Sequence, residues 1–220
     1  MSHAVAQDNI CLHIGCGLVV APDWQNYDAS LSLRLSKLPG IGKIVAQKLS
    51  FPDWSDTAYY GNIVKGLDIQ PESCDLVYAA HVLEHLSLTD FHIALDNIYS
   101  YLKPGGIFRA VVPDLEQYIQ SYWQQRQNDA IASQAAINFM TASGIGHSRS
   151  RKTWKDRLRE ALANHRHQWM WDRPSLQAAF AEHGFKNPRF CTYGDWADPR
   201  FAKVEYKDSF EYAIGVEGCK

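Results

Sequence analysis

Hydrophobic positions along the chain fall into short apolar runs separated by longer amphipathic stretches. The apolar runs in "NICLHIGCG", "CDLVYAA" and "IFRAVVP" predict strands that are buried on both faces of a sheet. A further strand is predicted in "WQNYDAS", ending at Asp28, and a short third strand in "YGNIV". The late segments "PRFCTYGDW" and "SFEYAIGVEG" predict two strands that pair with each other.

The amphipathic stretches between these strands predict helices. One helix is expected in "SLTDFHIALDNIYSYL", ended by "KPGG", and another in "DLEQYIQSYWQQRQ", which starts at an aspartate. Residues 130–165 are expected to be mostly helical, interrupted by "SGIGHS", and "RPSLQAAFAEHGF" predicts a helix capped by Gly184. Because strands alternate with helices, the pattern predicts an α/β fold with a mainly parallel sheet and helices on both faces.

The segment between the second and third predicted strands has an uneven charge balance. Residues 29–52 contain Arg34 and three lysines but no acidic side chain. Pro39 and the glycines beside it divide this segment. The pattern therefore predicts two short amphipathic elements.

Composition and charge narrow the class of protein. The 220 residues carry a net charge of −2, so no global basic field favours a nucleic-acid partner. The five cysteines are odd in number and scattered, which predicts neither a disulfide framework nor a cysteine zinc site. The amino terminus lacks a secretion-signal pattern, and no apolar run approaches the roughly 18 residues that a membrane span needs. We therefore expect a soluble protein in a reducing, cytoplasmic setting.

The "GCG" turn after the first strand is the first candidate for ligand binding, because ligands of such sheets bind beyond the carboxyl ends of the strands. Because Gly15 and Gly17 have no side chains, the backbone of this turn can come close to a bound ligand. A dinucleotide site needs a third glycine, which the run "GCGLVV" lacks. A compact ligand without a diphosphate, such as S-adenosylmethionine, fits better. An ordinary strand-to-loop turn is the alternative.

Asp28 ends the second predicted strand, where a carboxylate can accept hydrogen bonds from both hydroxyls of a ribose. It follows Gly17 by only eleven residues, and the intervening "LVVAPDW" is too short for a full crossover helix. An aspartate that caps a turn is the alternative interpretation.

The stretch "HVLEH", residues 81–85, matches the H-x-x-E-H spacing of one class of zinc peptidases. On a helix, His81 and His85 would lie on one face, where both imidazoles could reach one metal ion. Glu84 could then act as a general base. A zinc peptidase would also need a longer helix around the motif and a third ligand from elsewhere.

Five segments in register resemble the class I S-adenosylmethionine-dependent methyltransferases: "LHIGCG", "YDAS", "GNIVKGLDIQPESCDLVYAAHVLEHL", "NIYSYLKPGGIFRAVVPDLEQYI" and "HQWMWDRPSLQAAFAEHGF". The likeness is greatest to the small bacterial "type 11" branch, which is often linked to cell-surface sugar assembly. The resemblance implies a Rossmann-like, doubly wound, mostly parallel seven-stranded sheet with an antiparallel C-terminal hairpin. It also implies a single methyltransferase domain over residues 1–220, with insertions at about 31–60 and a helical acceptor-side region at about 120–172.

The resemblance further implies an S-adenosylmethionine site along the carboxyl ends of the strands. The glycine turn would lie under the methionine part, Asp28 would bind the ribose, and Asn62 would face the adenine amino group. The implied cofactor-binding residues are Gly15, Cys16, Gly17, Asp28, Asn62, Ile63, Ala79, Ala80 and His81. The family usually has an aspartate at the position of Asn62, whose side-chain oxygen can accept the same bond.

In the same family "VLEH" is the opening turn of a helix after the fourth strand. Val82 and Leu83 would then pack in the interior, and Glu84 would favour the positive amino end of the helix. Some family members bind a divalent ion with an acid-acid-histidine cluster here, so His81, Glu84 and His85 are candidate metal ligands. Because magnesium prefers oxygen ligands, the histidine at position 81 argues against that ion. We expect no bound metal.

Methyl transfer to a hydroxyl requires alignment of the acceptor and benefits from a base with a pKa near neutrality. The candidate catalytic residues are His81, Asp114, His147 and His167. Asp114 could instead cap the helix that follows it, and the two late histidines could lie on the surface. Trp169 and Trp171 could stack on a sugar or pack in the core.

Six basic residues between Arg149 and Arg159 form either a solvated helix face or an anion site.

From the resemblance we expect a methyltransferase that acts on an oxygen atom of a small-molecule or glycan acceptor. The basic run makes an anionic acceptor one option, and the net charge argues against a nucleic-acid partner. One alternative is a regulatory or binding protein that keeps the cofactor site without catalysis. The remaining alternative is the zinc hydrolase.

Overall fold

A computed structural model of the chain describes residues 9–146 and 166–220, with one sheet at its centre. The strands are β1 (Ile10–Ile14), β2 (Gln25–Asp28), β3 (Ala58–Tyr60), β4 (Cys74–Ala80), β5 (Leu102–Pro113), β6 (Lys186–Cys191) and β7 (Ala213–Cys219). Their order across the sheet is β3-β2-β1-β4-β5-β7-β6. The first five strands pair in parallel, whereas β7 runs antiparallel to both β5 and β6. This topology confirms the predicted Rossmann-like fold with its antiparallel C-terminal hairpin.

The helices follow the predicted order. They are α1 (Leu31–Ser36), α2 (Gly42–Leu49), α3 (Leu88–Tyr101), α4 (Leu115–Arg126), α5 (Ala135–Ala142) and α6 (Arg173–Glu182). The pair α1 and α2 corresponds to the two short elements expected of the basic segment, and Gly184 follows α6 with a φ of +86°. None of these described helices is long and apolar enough to cross a membrane. Residues 147–165, within the predicted helical region, lie outside the described residues.

Two local predictions were wrong. The third strand is Ala58–Tyr60 and shares only Tyr60 with the predicted residues 60–64, because the side-chain oxygen of Asn62 accepts the backbone N–H of Val64 at 2.9 Å and turns the chain. The segment "VLEH" does not open α3. It forms a separate 3₁₀ turn over Leu83–His85, and α3 begins only at Leu88.

Both faces of the sheet are buried, as the apolar strands predicted. On one face, Phe108 of β5 stacks on Phe180 of α6 with ring centroids 5.3 Å apart, and Phe91 of α3 belongs to the same core cluster. On the other face, Tyr78 of β4 packs against Phe201 at 6.2 Å in a second cluster. The two clusters pack against both faces of the parallel strands. The carboxyl ends of these strands therefore form one well-packed edge of the sheet.

Arg109 of β5 is a fully buried cation beneath the antiparallel hairpin. Its guanidinium donates to Glu217 at 2.6 Å and to Glu205 at 2.8 Å, and to the carbonyl oxygen of Thr192 at 3.0 Å. Burial opposes the charged form, but the neighbouring thiol of Cys191 and the two carboxylates outweigh it, so the pKa of Arg109 is raised. The ion pairs therefore connect β5 and β7 to the segment that precedes β7.

Candidate active site

The glycine turn after β1 has two glycines with different surroundings. Gly15 has a φ of +67°, and a Cβ added there would lie 2.1 Å from Cγ2 of Val82. Its backbone N–H donates to the carbonyl oxygen of Tyr27 at 2.7 Å. Gly17 has a φ of +53°, but an added Cβ would meet no described atom within 4 Å. Gly15 therefore lets the turn pack against the end of β4, whereas Gly17 borders open space.

Cys16 lies between the two glycines, and its side chain is buried. Burial, together with the charge of Asp28, raises the pKa of the Cys16 thiol to about 12. The thiol is therefore neutral at physiological pH and contributes packing and backbone geometry to the turn.

Asp28 connects this turn to β2. Its Oδ2 accepts the backbone N–H of Gly17 at 3.0 Å, and its Oδ1 accepts that of Ser30 at 2.7 Å. The side chain is largely buried. The capping role considered for Asp28 is therefore real, but it leaves capacity on both oxygens, because a carboxylate has about four acceptor sites. Capping and ribose binding are compatible at this position.

Asn62 and Ile63 lie beyond β3. The Asn62 oxygen, which the sequence predicts to accept from the adenine amino group, already accepts from the N–H of Val64 and has a longer contact of 3.4 Å to that of Lys65. Ile63 is buried in the main core cluster. The structure therefore shows both residues in structural contacts at the expected edge of the sheet.

Ala79 and Ala80 end β4, and His81 follows with a φ of +53°. Such a backbone conformation is uncommon for a residue with a side chain and often accompanies function. It also excludes a helix at His81, so the prediction that His81 and His85 share one helical face was wrong. The "HVLEH" stretch does not form the helical motif of a zinc peptidase.

The His81 ring has an acceptor at each nitrogen. Nδ1 lies 3.1 Å from Oε1 of Glu84, and Nε2 lies 2.8 Å from the carbonyl oxygen of Ser209. Burial lowers the pKa of His81, but the hydrogen bond and charge of Glu84 outweigh burial, and the net pKa is raised. Because both nitrogens donate when the ring is an imidazolium, His81 is better suited to holding Glu84 in place than to accepting a proton.

His167 approaches the same carboxylate from a distant part of the chain. Its Nε2 lies 3.8 Å from Oε1 of Glu84, and its ring centroid is 5.0 Å from that of His85. The backbone N–H groups of Gln168 and Trp169 donate to the Glu84 carbonyl oxygen at 2.7 and 3.2 Å. Burial lowers the pKa of His167. We call Glu84, His85 and His167 the carboxylate–histidine cluster.

The remaining candidates have separate roles or locations. Asp114 is the N-cap of α4 and accepts from the backbone N–H of Glu116 at 3.0 Å and from the Gln117 amide at 2.8 Å. Its catalytic role stays a prediction. Trp171 packs on Phe91 at 4.2 Å in the core. Trp169, in contrast, is 41% exposed.

His147 and the basic run between Arg149 and Arg159 lie outside the described residues. Their proposed roles as a base and as an anion site stay predictions.

Several contacts of the site could not be read from the sequence. The carbonyl oxygens of Ser209 and Ser143 orient His81 and His167, and Val82 explains why position 15 is glycine. A backbone carbonyl carries no residue-type signal, and these partners lie far away in the chain. The sequence did single out His167, but as an isolated base and not as a neighbour of Glu84.

Comparison with known proteins agrees with the geometry. A family described as "Methyltransferase domain" matches residues 22–188, about three quarters of the chain, beginning just after the glycine turn. A search of curated proteins found no match.

Solved structures show similarity at low sequence identity. A SAM-dependent methyltransferase from Archaeoglobus fulgidus has 11% identity and a TM-score of 0.50, with 96% of this chain and 86% of that chain covered. A Haloferax volcanii methyltransferase, solved with the activator Trm112, has 17% identity and a TM-score of 0.47, with 96% and 82% covered. A Burkholderia thailandensis 1,6-didemethyltoxoflavin-N1-methyltransferase, solved with S-adenosylhomocysteine, has 13% identity and a TM-score of 0.45, with 96% and 70% covered.

The sheet order, the glycine turn at its carboxyl edge and the family match lead to the same assignment. S-adenosylmethionine is the methyl donor of this family, and the resemblance to the type 11 branch is consistent with the match. The chain belongs to the methyltransferase-domain family and has the class I S-adenosylmethionine-dependent methyltransferase fold.

Proposed function

We propose that the chain transfers the methyl group of S-adenosylmethionine to an oxygen atom of a small-molecule or glycan acceptor in the cytoplasm. The carboxylate–histidine cluster beside the glycine turn is the observation that carries this proposal. An anionic acceptor is included because of the basic run in residues 149–159. All five cysteines lie in the described part of the chain and are unpaired, which supports a reducing compartment. We keep the single-domain organisation over residues 1–220 as part of the proposal.

The cofactor residues are proposed on the geometry of the sheet edge. Gly17 borders open space, and Asp28 keeps unused lone pairs beside it. We assign cofactor contacts to the glycine turn, Asp28, the Asn62–Ile63 turn and the end of β4. Because the Asn62 oxygen already accepts from Val64, the Asn62 amide nitrogen takes the adenine-side role by donating to a ring nitrogen of adenine and not by contacting its amino group.

The glycine turn and the carboxylate–histidine cluster are neighbours. Val82, which a Cβ on Gly15 would strike, lies two residues before Glu84. The 3₁₀ turn Leu83–His85 holds two of the three cluster residues. It therefore connects the wall of the cofactor site to the acceptor side. A methyl group and an acceptor hydroxyl can then meet between the two features.

Transfer to oxygen breaks the methyl–sulfur bond while the oxygen–carbon bond forms, and the hydroxyl proton must leave. His167 donates its Nδ1–H to the carbonyl oxygen of Ser143 at 2.6 Å, which leaves the lone pair of Nε2 available. That lone pair can receive the hydroxyl proton, and the Glu84 carboxylate at 3.8 Å stabilises the imidazolium that forms. His85 can orient the acceptor oxygen from the other side of the cluster.

The proposal is tested by incubating the chain with S-adenosylmethionine labelled with ¹³C in its methyl group and a panel of hydroxylated small molecules and sugars, acidic ones included. We expect an O-methyl signal by NMR and matching release of S-adenosylhomocysteine. The variant His167→Gln should lose at least 100-fold in turnover. His183→Gln, which alters a histidine on the distant His92–His183 pair, should retain it.

Two outcomes would contradict the proposal. Methyl transfer to nitrogen or carbon with the same panel would refute oxygen as the acceptor atom. Tight cofactor binding without turnover on any acceptor would favour the non-catalytic binding protein.

A further inference from the structure

We propose that the carboxylate–histidine cluster is a binding site for one divalent transition-metal ion of the Zn²⁺ type. Glu84, His85 and His167 each offer one ligand atom, and these three atoms lie within 4.8 Å of one another. Four-coordinate zinc at ligand distances of about 2.1 Å holds its ligand atoms about 3.4 Å apart. Small side-chain rotations therefore suffice to close the site around an ion.

The two histidines are oriented as metal ligands usually are. His85 donates its Nδ1–H to the carbonyl oxygen of Arg166 at 2.8 Å, and His167 donates its own to that of Ser143 at 2.6 Å. Each bond selects the tautomer in which Nε2 carries the lone pair, the arrangement typical of metal-bound imidazole. Both rings thus have the tautomer that a metal ligand needs, and neither carbonyl partner is a ligand itself.

Glu84 supplies the second, independent observation. Its side chain is fully buried, and its Oε2 has no hydrogen-bond partner among the described residues. A buried carboxylate oxygen without a partner is unfavourable, so the native protein should satisfy it. A cation held by both carboxylate oxygens, with Nε2 of His167 3.8 Å from Oε1, would do so.

The structure changes the ligand set that the sequence suggested. His81 was one of three candidates with Glu84 and His85, but both of its ring nitrogens already have partners. His81 instead contacts Oε1 of Glu84 at 3.1 Å and so orients the carboxylate as a supporting residue. His167, more than 80 residues away in the chain, takes its place as the third ligand.

The donor set determines the class of ion. Two imidazole nitrogens and one carboxylate suit Zn²⁺ and neighbouring first-row ions, whereas Mg²⁺ and Ca²⁺ prefer oxygen ligands. Three protein ligands leave at least one position open for water or for an acceptor oxygen. In the metal-bound chain the Nε2 lone pair of His167 is a ligand, so the proton-accepting role proposed for His167 applies to the chain without the ion. Metal binding is measured independently of methyl transfer, so the two proposals can fail separately.

The test uses the tag-free, full-length chain stripped of metal by dialysis against a chelator. Titration with Co²⁺ should produce the visible absorption of a low-coordinate site at a 1:1 ratio, and Zn²⁺ should displace it. Calorimetry with Zn²⁺ should give a Kd of micromolar or below. The variants His85→Gln and His167→Gln should each weaken binding at least 10-fold, and His81→Asn should weaken it less.

His183→Gln is the matched control, because His183 contacts His92 and Asp96 away from the cluster. Circular dichroism and binding of S-adenosylhomocysteine show whether each variant is folded. Absence of a 1:1 Co²⁺ complex in a chain that still binds S-adenosylhomocysteine would overturn the metal site. Metal binding that survives both cluster variants, or that His183→Gln abolishes, would also overturn it. Metal binding without cofactor binding would instead refute the methyltransferase proposal.

Discussion

Substitution of Gly15 by alanine should be one of the most damaging single-methyl changes in the site. The added Cβ would lie 2.1 Å from Cγ2 of Val82, and the β-branched valine cannot rotate freely to make room. Overpacking of this kind costs about 1–3 kcal/mol. The φ of +67° adds about 1–2 kcal/mol for a residue with a side chain. We therefore expect Gly15→Ala to lower the free energy of unfolding by about 2–5 kcal/mol.

Two further variants separate the contact from the backbone strain. Gly17→Ala has a similar φ, +53°, but its Cβ meets no described atom within 4 Å, so it should cost only about 1–2 kcal/mol. Val82→Ala removes the clashing methyl and leaves its own Cβ 3.4 Å from the new one, an ordinary contact distance. The double variant Gly15→Ala/Val82→Ala should therefore be more stable than the two single losses predict, by about 1–3 kcal/mol.

Urea unfolding followed by tryptophan fluorescence measures all four free energies. The reasoning is refuted if Gly15→Ala costs no more than Gly17→Ala, or if the losses of Gly15→Ala and Val82→Ala simply add. In either case the glycine turn would not be packed against the end of β4, and the adjacency of the cofactor and acceptor features would lose its support.

Two other predictions concern buried charge. Arg109→Met should lower the free energy of unfolding by about 3–5 kcal/mol, because it leaves the buried carboxylate of Glu205 without a cation and leaves Glu217 only its ion pair with Arg189. A loss below about 1 kcal/mol in urea unfolding would contradict the ion-pair account. Burial lowers the pKa of His13 to about 4 in the folded chain, from 6.5 for an exposed histidine. As the pH is lowered, the unfolded chain therefore binds this proton before the folded chain does, and the free energy of unfolding falls between pH 6.5 and about 4. The loss amounts to about 3 kcal/mol in the wild type and should be absent in His13→Gln. Parallel curves of unfolding free energy against pH for the wild type and His13→Gln would refute this prediction.

The strands and long helices were predictable because their signals are local. "CDLVYAA" is apolar almost throughout and forms β4, and the aspartate before "LEQYIQ" caps α4. The third strand was displaced because a side-chain hydrogen bond at Asn62 ends the extended conformation, and hydrophobic pattern does not report such a bond.

The site was predictable only in part, since its geometry depends on distant segments. The sequence identified the glycine turn and Asp28 from their positions at strand ends. The spacing of "HVLEH" fits a helix, but its conformation depends on distant contacts, since His81 has a φ of +53° and bonds to the carbonyl oxygen of Ser209. The meeting of His167 with Glu84 follows from tertiary structure and has no local signal.

The central claim is that the sheet edge from the glycine turn to Asp28 binds S-adenosylmethionine. Calorimetric titration with S-adenosylmethionine and S-adenosylhomocysteine tests it most directly, using wild type, Asp28→Asn and the exposed control Asp56→Asn. Thermal unfolding should accompany it, because Asp28 also caps the backbone of Gly17 and Ser30. The account predicts micromolar binding by wild type and Asp56→Asn, weakened by about 1.4 kcal/mol, a factor of ten, or more in folded Asp28→Asn. Failure of the folded wild-type chain to bind either ligand, or equal binding by all three proteins, would contradict it.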